Sequence, residues 1–147
     1  MATIKDFEDL EIWQMARQLN KDVYPLLLVL QEGKNFELKG QLDGSADSVM
    51  DNIAEGFESD GNREFIQFLA ISKGSLGEVR SQLFRVLDRG IIDANRNELL
   101  QVNSLTLASK IGKFISYLNN SEIRGKKFLQ NKELVSYSNK PETQNAE

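Results

Sequence analysis

The chain has 147 residues, with 18 basic and 22 acidic side chains and neither cysteine nor histidine. This excludes thiolate nucleophiles, disulfides, imidazole general bases and metal sites that need His or Cys, leaving carboxylate, hydroxyl, amine and guanidinium chemistry. The length suits one domain able to bury a core without a metal or disulfide, and the charge is two-ended: residues 1–60 hold 5 basic and 13 acidic side chains, residues 61–147 hold 13 and 9.

The opening MATIKDFEDLEIW has no basic stretch leading into an apolar one. The longest strongly apolar run, Leu26 to Leu30, is far too short to span a bilayer, so a cytoplasmic protein away from the membrane is expected. Leu10, Trp13, Ala16, Leu19, Val23, Leu26 and Leu30 recur at three- and four-residue steps, which predicts a first helix over about Asp9 to Gln31. Pro25 removes a backbone donor and crowds the preceding turn, so a kink or break is expected between Val23 and Leu26. Glu32-Gly33-Lys34-Asn35 reads as a loop.

Leu38, Leu42, Ala46, Val49, Ile53 and Phe57 form the stripe of a second helix, with Gly40 and Gly44 weakening its first turns. Ser59-Asp60-Gly61-Asn62 is a turn with Asn62 as candidate N-cap. The third and longest helix carries Phe65, Phe68, Leu69, Ser72, Leu76, Val79, Leu83 and Val86, and Gly90 marks its end. Asn95 with Glu98 resembles a capping box, and Leu100, Leu107, Ile111, Phe114 and Leu118 define a fourth helix. From Asn119 the chain turns polar. Residues 1–119 are therefore expected to form one all-α, antiparallel up-down-up-down four-helix bundle, and residues 120–147 a polar, disordered tail in which Phe128, Leu129, Leu134 and Val135 could dock a short helix.

Three segments carry a family likeness: Asn52-Ile53-Ala54-Glu55-Gly56; Glu64-Phe65-Ile66-Gln67-Phe68-Leu69; and Gly74-Ser75 with Glu78 and Gln82-Leu83. They resemble the core motif of the 23S rRNA-intervening-sequence proteins, and Leu10-Glu11-Ile12-Trp13-Gln14-Met15-Ala16 with Val23-Tyr24 resembles that family's first helix. The likeness covers about residues 7–118. It implies a small bundle that assembles into a ring, a homopentamer, in a family whose members mostly have no established activity. A related branch resembles the accessory variability protein of diversity-generating retroelements, which binds nucleic acid and a reverse transcriptase. Relatives commonly carry basic residues after the Gln-Leu step of the second helix, where this chain has Asp43 and Gly44 after Gln41-Leu42.

Three constellations follow. Asn52, Glu55, Ser75, Glu78 and Gln82 sit beside the apolar stripes of the second and third helices, where an interhelical hydrogen-bond network would satisfy them, and Gly74 and Gly77 read as sites of close packing. Asp43, Asp47, Asp51 and Glu55, four residues apart, form an acidic ridge suited to a basic partner subunit or to solvent, and less readily to a bridging Mg²⁺. Lys73, Arg80, Arg85, Arg89, Lys110 and Lys113, with Arg124, Lys126 and Lys127, are candidate phosphate contacts, and a ring would multiply them. The expected function is a non-enzymatic, homo-oligomeric scaffold or adaptor with no cofactor, associated with RNA or DNA. The rivals are a protein-binding scaffold indifferent to nucleic acid and a carboxylate-bridged metal enzyme.

Overall fold

A computed structural model describes residues 3–123; the expectations for Arg124, Lys126, Lys127, Phe128, Leu129, Leu134 and Val135 lie outside them. A single 3₁₀ turn, Phe7–Asp9, leads into four helices: α1 (Glu11–Glu32), α2 (Phe36–Glu58), α3 (Asn62–Asp88) and α4 (Ala94–Ile123). No strand occurs among the described residues. Each helix packs on its neighbours in sequence, most extensively α2 on α3, and α4 closes the bundle on α1. This is the expected antiparallel four-helix bundle, with α4 reaching Ile123, past the expected boundary at residue 119.

The stripes become the core. Leu38, Leu42, Ala46, Val49, Ile53 and Phe57 of α2 are all buried, as are Phe65, Leu69, Leu76, Val79, Leu83 and Val86 of α3. They meet Leu19, Val23 and Leu30 from α1 and Leu107, Ile111 and Leu118 from α4. Each such side chain contributes about 1.5–3 kcal/mol on leaving water. At the α2–α3 turn Phe57 meets Phe65 edge-on, centroids 6.3 Å apart, and Phe65 reaches Phe114 of α4 at 5.4 Å.

Helix α1 runs unbroken through Pro25, so of the kink or break expected there the break does not occur. Pro25 and Lys21 both face solvent, so the carbonyl that loses its helical donor is open to water and the helix tolerates the proline. At the end of α1, Asn35 N–H donates to Leu30 O at 2.8 Å while Lys34 takes φ of 60°, a left-handed position usually held by glycine. Gly90, at φ 73°, closes α3 in the same way, with Ile91 N–H donating to Val86 O. Helix α4 is capped by Asp93, whose Oδ1 accepts from Arg96 N–H at 2.7 Å, and not by Asn95, which lies inside the first turn. Asn62 is likewise the first residue of α3 and buried, with extended Gly61 at the cap position.

Gly74 and Gly77 do not mark close packing. A Cβ built on either meets nothing within 4 Å, and the same holds for Gly40 and Gly44 on α2. Gly56 is the glycine that a close approach requires: its Cβ would stand 2.7 Å from Phe65 Cδ1 and 3.0 Å from Phe68 Cβ.

Candidate functional site

A polar seam runs along one side of the α2–α3 interface. Ser72, fully buried on α3, donates to the carbonyl of Val49 on α2 at 2.7 Å. One turn further along α3, Ser75 donates to Ser48 Oγ at 2.8 Å, and Asn52 Nδ2 donates to the same oxygen at 2.9 Å and to Ser48 O at 2.8 Å. Beyond it, Gln82 Nε2 donates to Ser45 Oγ at 3.0 Å, and Ser45 donates to Glu78 Oε2 at 3.3 Å. Buried polar groups of this kind are tolerated because they satisfy one another.

Of the five residues expected in this network, the structure joins Asn52, Ser75, Glu78 and Gln82. Glu55 is exposed, and no hydrogen bond ties it to the seam. Ser45 and Ser48, which the sequence reading missed, are the acceptors that connect the rest. Their spacing offered a signal: Ser45, Ser48 and Asn52 lie three and four residues apart and so share one edge of α2. Among the described residues no donor reaches the buried Gln82 Oε1. The seam borders an open groove of about 280 Å³, lined by Gly40, Gln41, Gly44, Ser45, Ser48, Ser75, Glu78 and Gln82.

The acidic ridge lies beside α1. Asp43 and Asp47 line a groove of about 450 Å³ with Arg17, Asn20, Lys21 and Tyr24. Asn20 spans its floor, donating to Ala16 O at 3.1 Å and to Ala46 O at 2.9 Å. Burial first, and then the neighbouring carboxylates Asp43 and Asp51, hold the Asp47 carboxyl above its usual range. Among the described residues no group of three or more carboxylates stands close enough to hold a metal ion.

The basic side chains are dispersed over several helix pairs. Arg80 Nε donates to Gln101 Oε1 at 3.0 Å on α4, and Gln101 Nε2 donates back to Arg80 O at 2.9 Å, a second polar clamp not foreseen from the sequence. Arg85 reaches Gln41 at 2.6 Å, and Arg89 reaches Asn35 at 2.9 Å. Lys110 forms an ion pair with Glu11 of α1 at 2.6 Å. Lys73 and Lys113 are exposed on α3 and α4. Arg80, Arg85, Arg89 and Lys110 thus tie helices together, which limits their reach toward a phosphate backbone.

Large apolar side chains also stand in solvent. Tyr24, Leu28 and Val29 are exposed on the second half of α1, Phe36 at the start of α2, and Leu99, Val102 and Leu105 on the outside of α4. Among the described residues no helix is long and apolar enough to cross a membrane.

The fold, the seam and these outer faces define an all-α four-helix bundle. The chain belongs to the 23S rRNA-intervening sequence protein family, whose model matches residues 8–121. Among curated proteins none matches the chain. A solved structure similar to it is a protein of unknown function from the S23 ribosomal protein family of Bacteroides thetaiotaomicron, 19% identical, with a TM-score of 0.66 over 71% of this chain and 97% of that one. At that identity the likeness is one of fold.

Proposed function

We propose that the protein is a non-enzymatic, cytoplasmic scaffold or adaptor that assembles with copies of itself, most simply into a ring of five. The observation that carries this reading is the outer face of α4, where Leu99, Val102 and Leu105 are each about half exposed. Apolar side chains at three-residue steps on a helix whose other face is already in the core are suited to a second interface. Exposed Tyr24, Leu28 and Val29 on α1 and Phe36 on α2 offer apolar surface at another place on the bundle, and a closed ring requires two different patches. Association with RNA or DNA is the second reading, favoured by the family's link to ribosomal RNA and by exposed Lys73 and Lys113 repeated around a ring. A tie to the accessory variability protein of diversity-generating retroelements belongs with that reading.

Light scattering coupled to size exclusion tests the first reading. The wild-type chain should run as a single oligomer, and Val102→Glu should convert it to monomer with helicity unchanged by circular dichroism; a wild-type monomer would refute the proposal. Fluorescence anisotropy against a structured ribosomal RNA fragment and a random duplex, at low and near-physiological salt, tests the second. Saturable binding that weakens steeply with salt supports it, and no binding at either salt leaves a protein scaffold.

A further inference from the structure

The groove over the α2–α3 seam has features that internal packing does not account for. Gly44 lines it with no side chain, although nothing lies within 4 Å of where a Cβ would stand. Glycine within a helix is less favourable than alanine, and here no neighbour inside the bundle requires it. On the floor, Gln82 is 9% exposed; its Nε2 is engaged by Ser45, while Oε1 is left buried without a donor. An unpaired buried carbonyl of this kind is costly, so it marks a place where a donor is missing. Beside it stands Glu78, exposed, whose carboxylate accepts a 3.3 Å hydrogen bond from Ser45.

The chemistry of the lining selects the occupant. Ser48, Ser75, Glu78 and Gln82 line the groove, Glu78 supplies its one formal charge, and no lysine or arginine lines it. An anion is excluded by Glu78, and an apolar group would leave Gln82 Oε1 unpaired. A planar cation with several donors in a fork meets the glutamate and the amide together, which an ammonium point charge does less well. The terminal amide torsion of Gln82 is soft, so a small rotation brings Oε1 toward such a donor. The volume, about 280 Å³, falls just below the range of about 300–1,000 Å³ typical of whole small-molecule ligands, which suits the end of a side chain. We propose that this groove is a receptor for an arginine side chain of a partner protein, with Glu78 and Gln82 accepting from the guanidinium and Gly44 keeping the entrance open.

Saturation-transfer difference NMR on the full chain tests this with N-acetylarginine amide, agmatine and N-acetyllysine amide as probes at constant ionic strength. The capped arginine should give a saturable signal at least tenfold stronger in apparent affinity than the capped lysine. Glu78→Gln should weaken it at least tenfold, and so should Gly44→Leu, which adds a helix-favouring side chain into open space and so keeps the fold, as a thermal melt checks. No saturable signal, equal binding of lysine, or binding unchanged in both variants would overturn the proposal. Binding of agmatine without the capped arginine would overturn the protein source and point to a free guanidinium compound.

Discussion

Ser75 on α3 and Ser48 on α2 face each other with their hydroxyl oxygens 2.8 Å apart, and Ser48 takes a second bond from Asn52. Neither serine has an alternative partner across this interface, so the pair fixes how far α3 slides along α2. Ser45 and Gln82 form a second such pair, one turn away along α2 and two turns away along α3. Ser45→Ala should cost about 1–3 kcal/mol by leaving the Gln82 amide donor unpaired, whereas Ser45→Ala with Gln82→Met should cost less than the two single changes together. A double-mutant cycle by urea denaturation reads this directly, and strict additivity would show that the two residues are not coupled.

The glycines separate by what surrounds them. Gly56→Ala drives a methyl group to 2.7 Å from Phe65 Cδ1, at the point where α2 turns into α3, and should destabilise the bundle by about 1–3 kcal/mol. Gly77→Ala enters open space on α3 and should stabilise by about 0.5–1 kcal/mol through helix propensity. Equilibrium denaturation of the two variants should therefore move in opposite directions. A loss of stability at Gly77 would mean that its open face is covered in the assembled protein.

Asp47 makes stability depend on pH. Its carboxyl is held above the ordinary aspartate value of 3.8, chiefly by burial and then by Asp43 and Asp51, so the folded state binds this proton more tightly than the unfolded chain. The resulting penalty is fully present above the folded-state value and fades as pH falls through it toward 3.8. Asp47→Asn should therefore stabilise at neutral pH, by about 0.2–0.5 kcal/mol for relief of the like-charge neighbours, and lose that advantage in acid. Thermal melts of the two proteins from pH 7 to pH 3 should converge at the acid end.

The bundle was legible in the sequence because its signal is strong and repeated: every member of the α2 stripe from Leu38 to Phe57 is buried. Where the reading departed from the structure, the periodic pattern held no information on direction. Pro25 looks like a break until it is known to face solvent, and Gly74 and Gly77 look like packing sites until their faces prove open. In the seam, carboxylates and amides drew attention because their burial is expensive, yet the connecting atoms belong to Ser45 and Ser48, small hydroxyls that barely change a hydropathy pattern. Glu55 shares the motif with Asn52 but points to solvent. The Asp93 cap of α4 escaped because Asn95 and Glu98 offered a competing box two residues later.

The order in which the helices touch also governs how the chain reaches its fold. Helices α1 with α2, α2 with α3 and α3 with α4 are joined by short turns, so these pairs close at small entropic cost, in the low contact-order regime that folds in microseconds to milliseconds. The α1–α4 contact is different: the Glu11–Lys110 ion pair links residues 99 apart, across the smallest of the four interfaces. Its closure entropy is offset only once the other three pairs have already brought the ends together. The α1–α4 edge is therefore the last to form and the first to open.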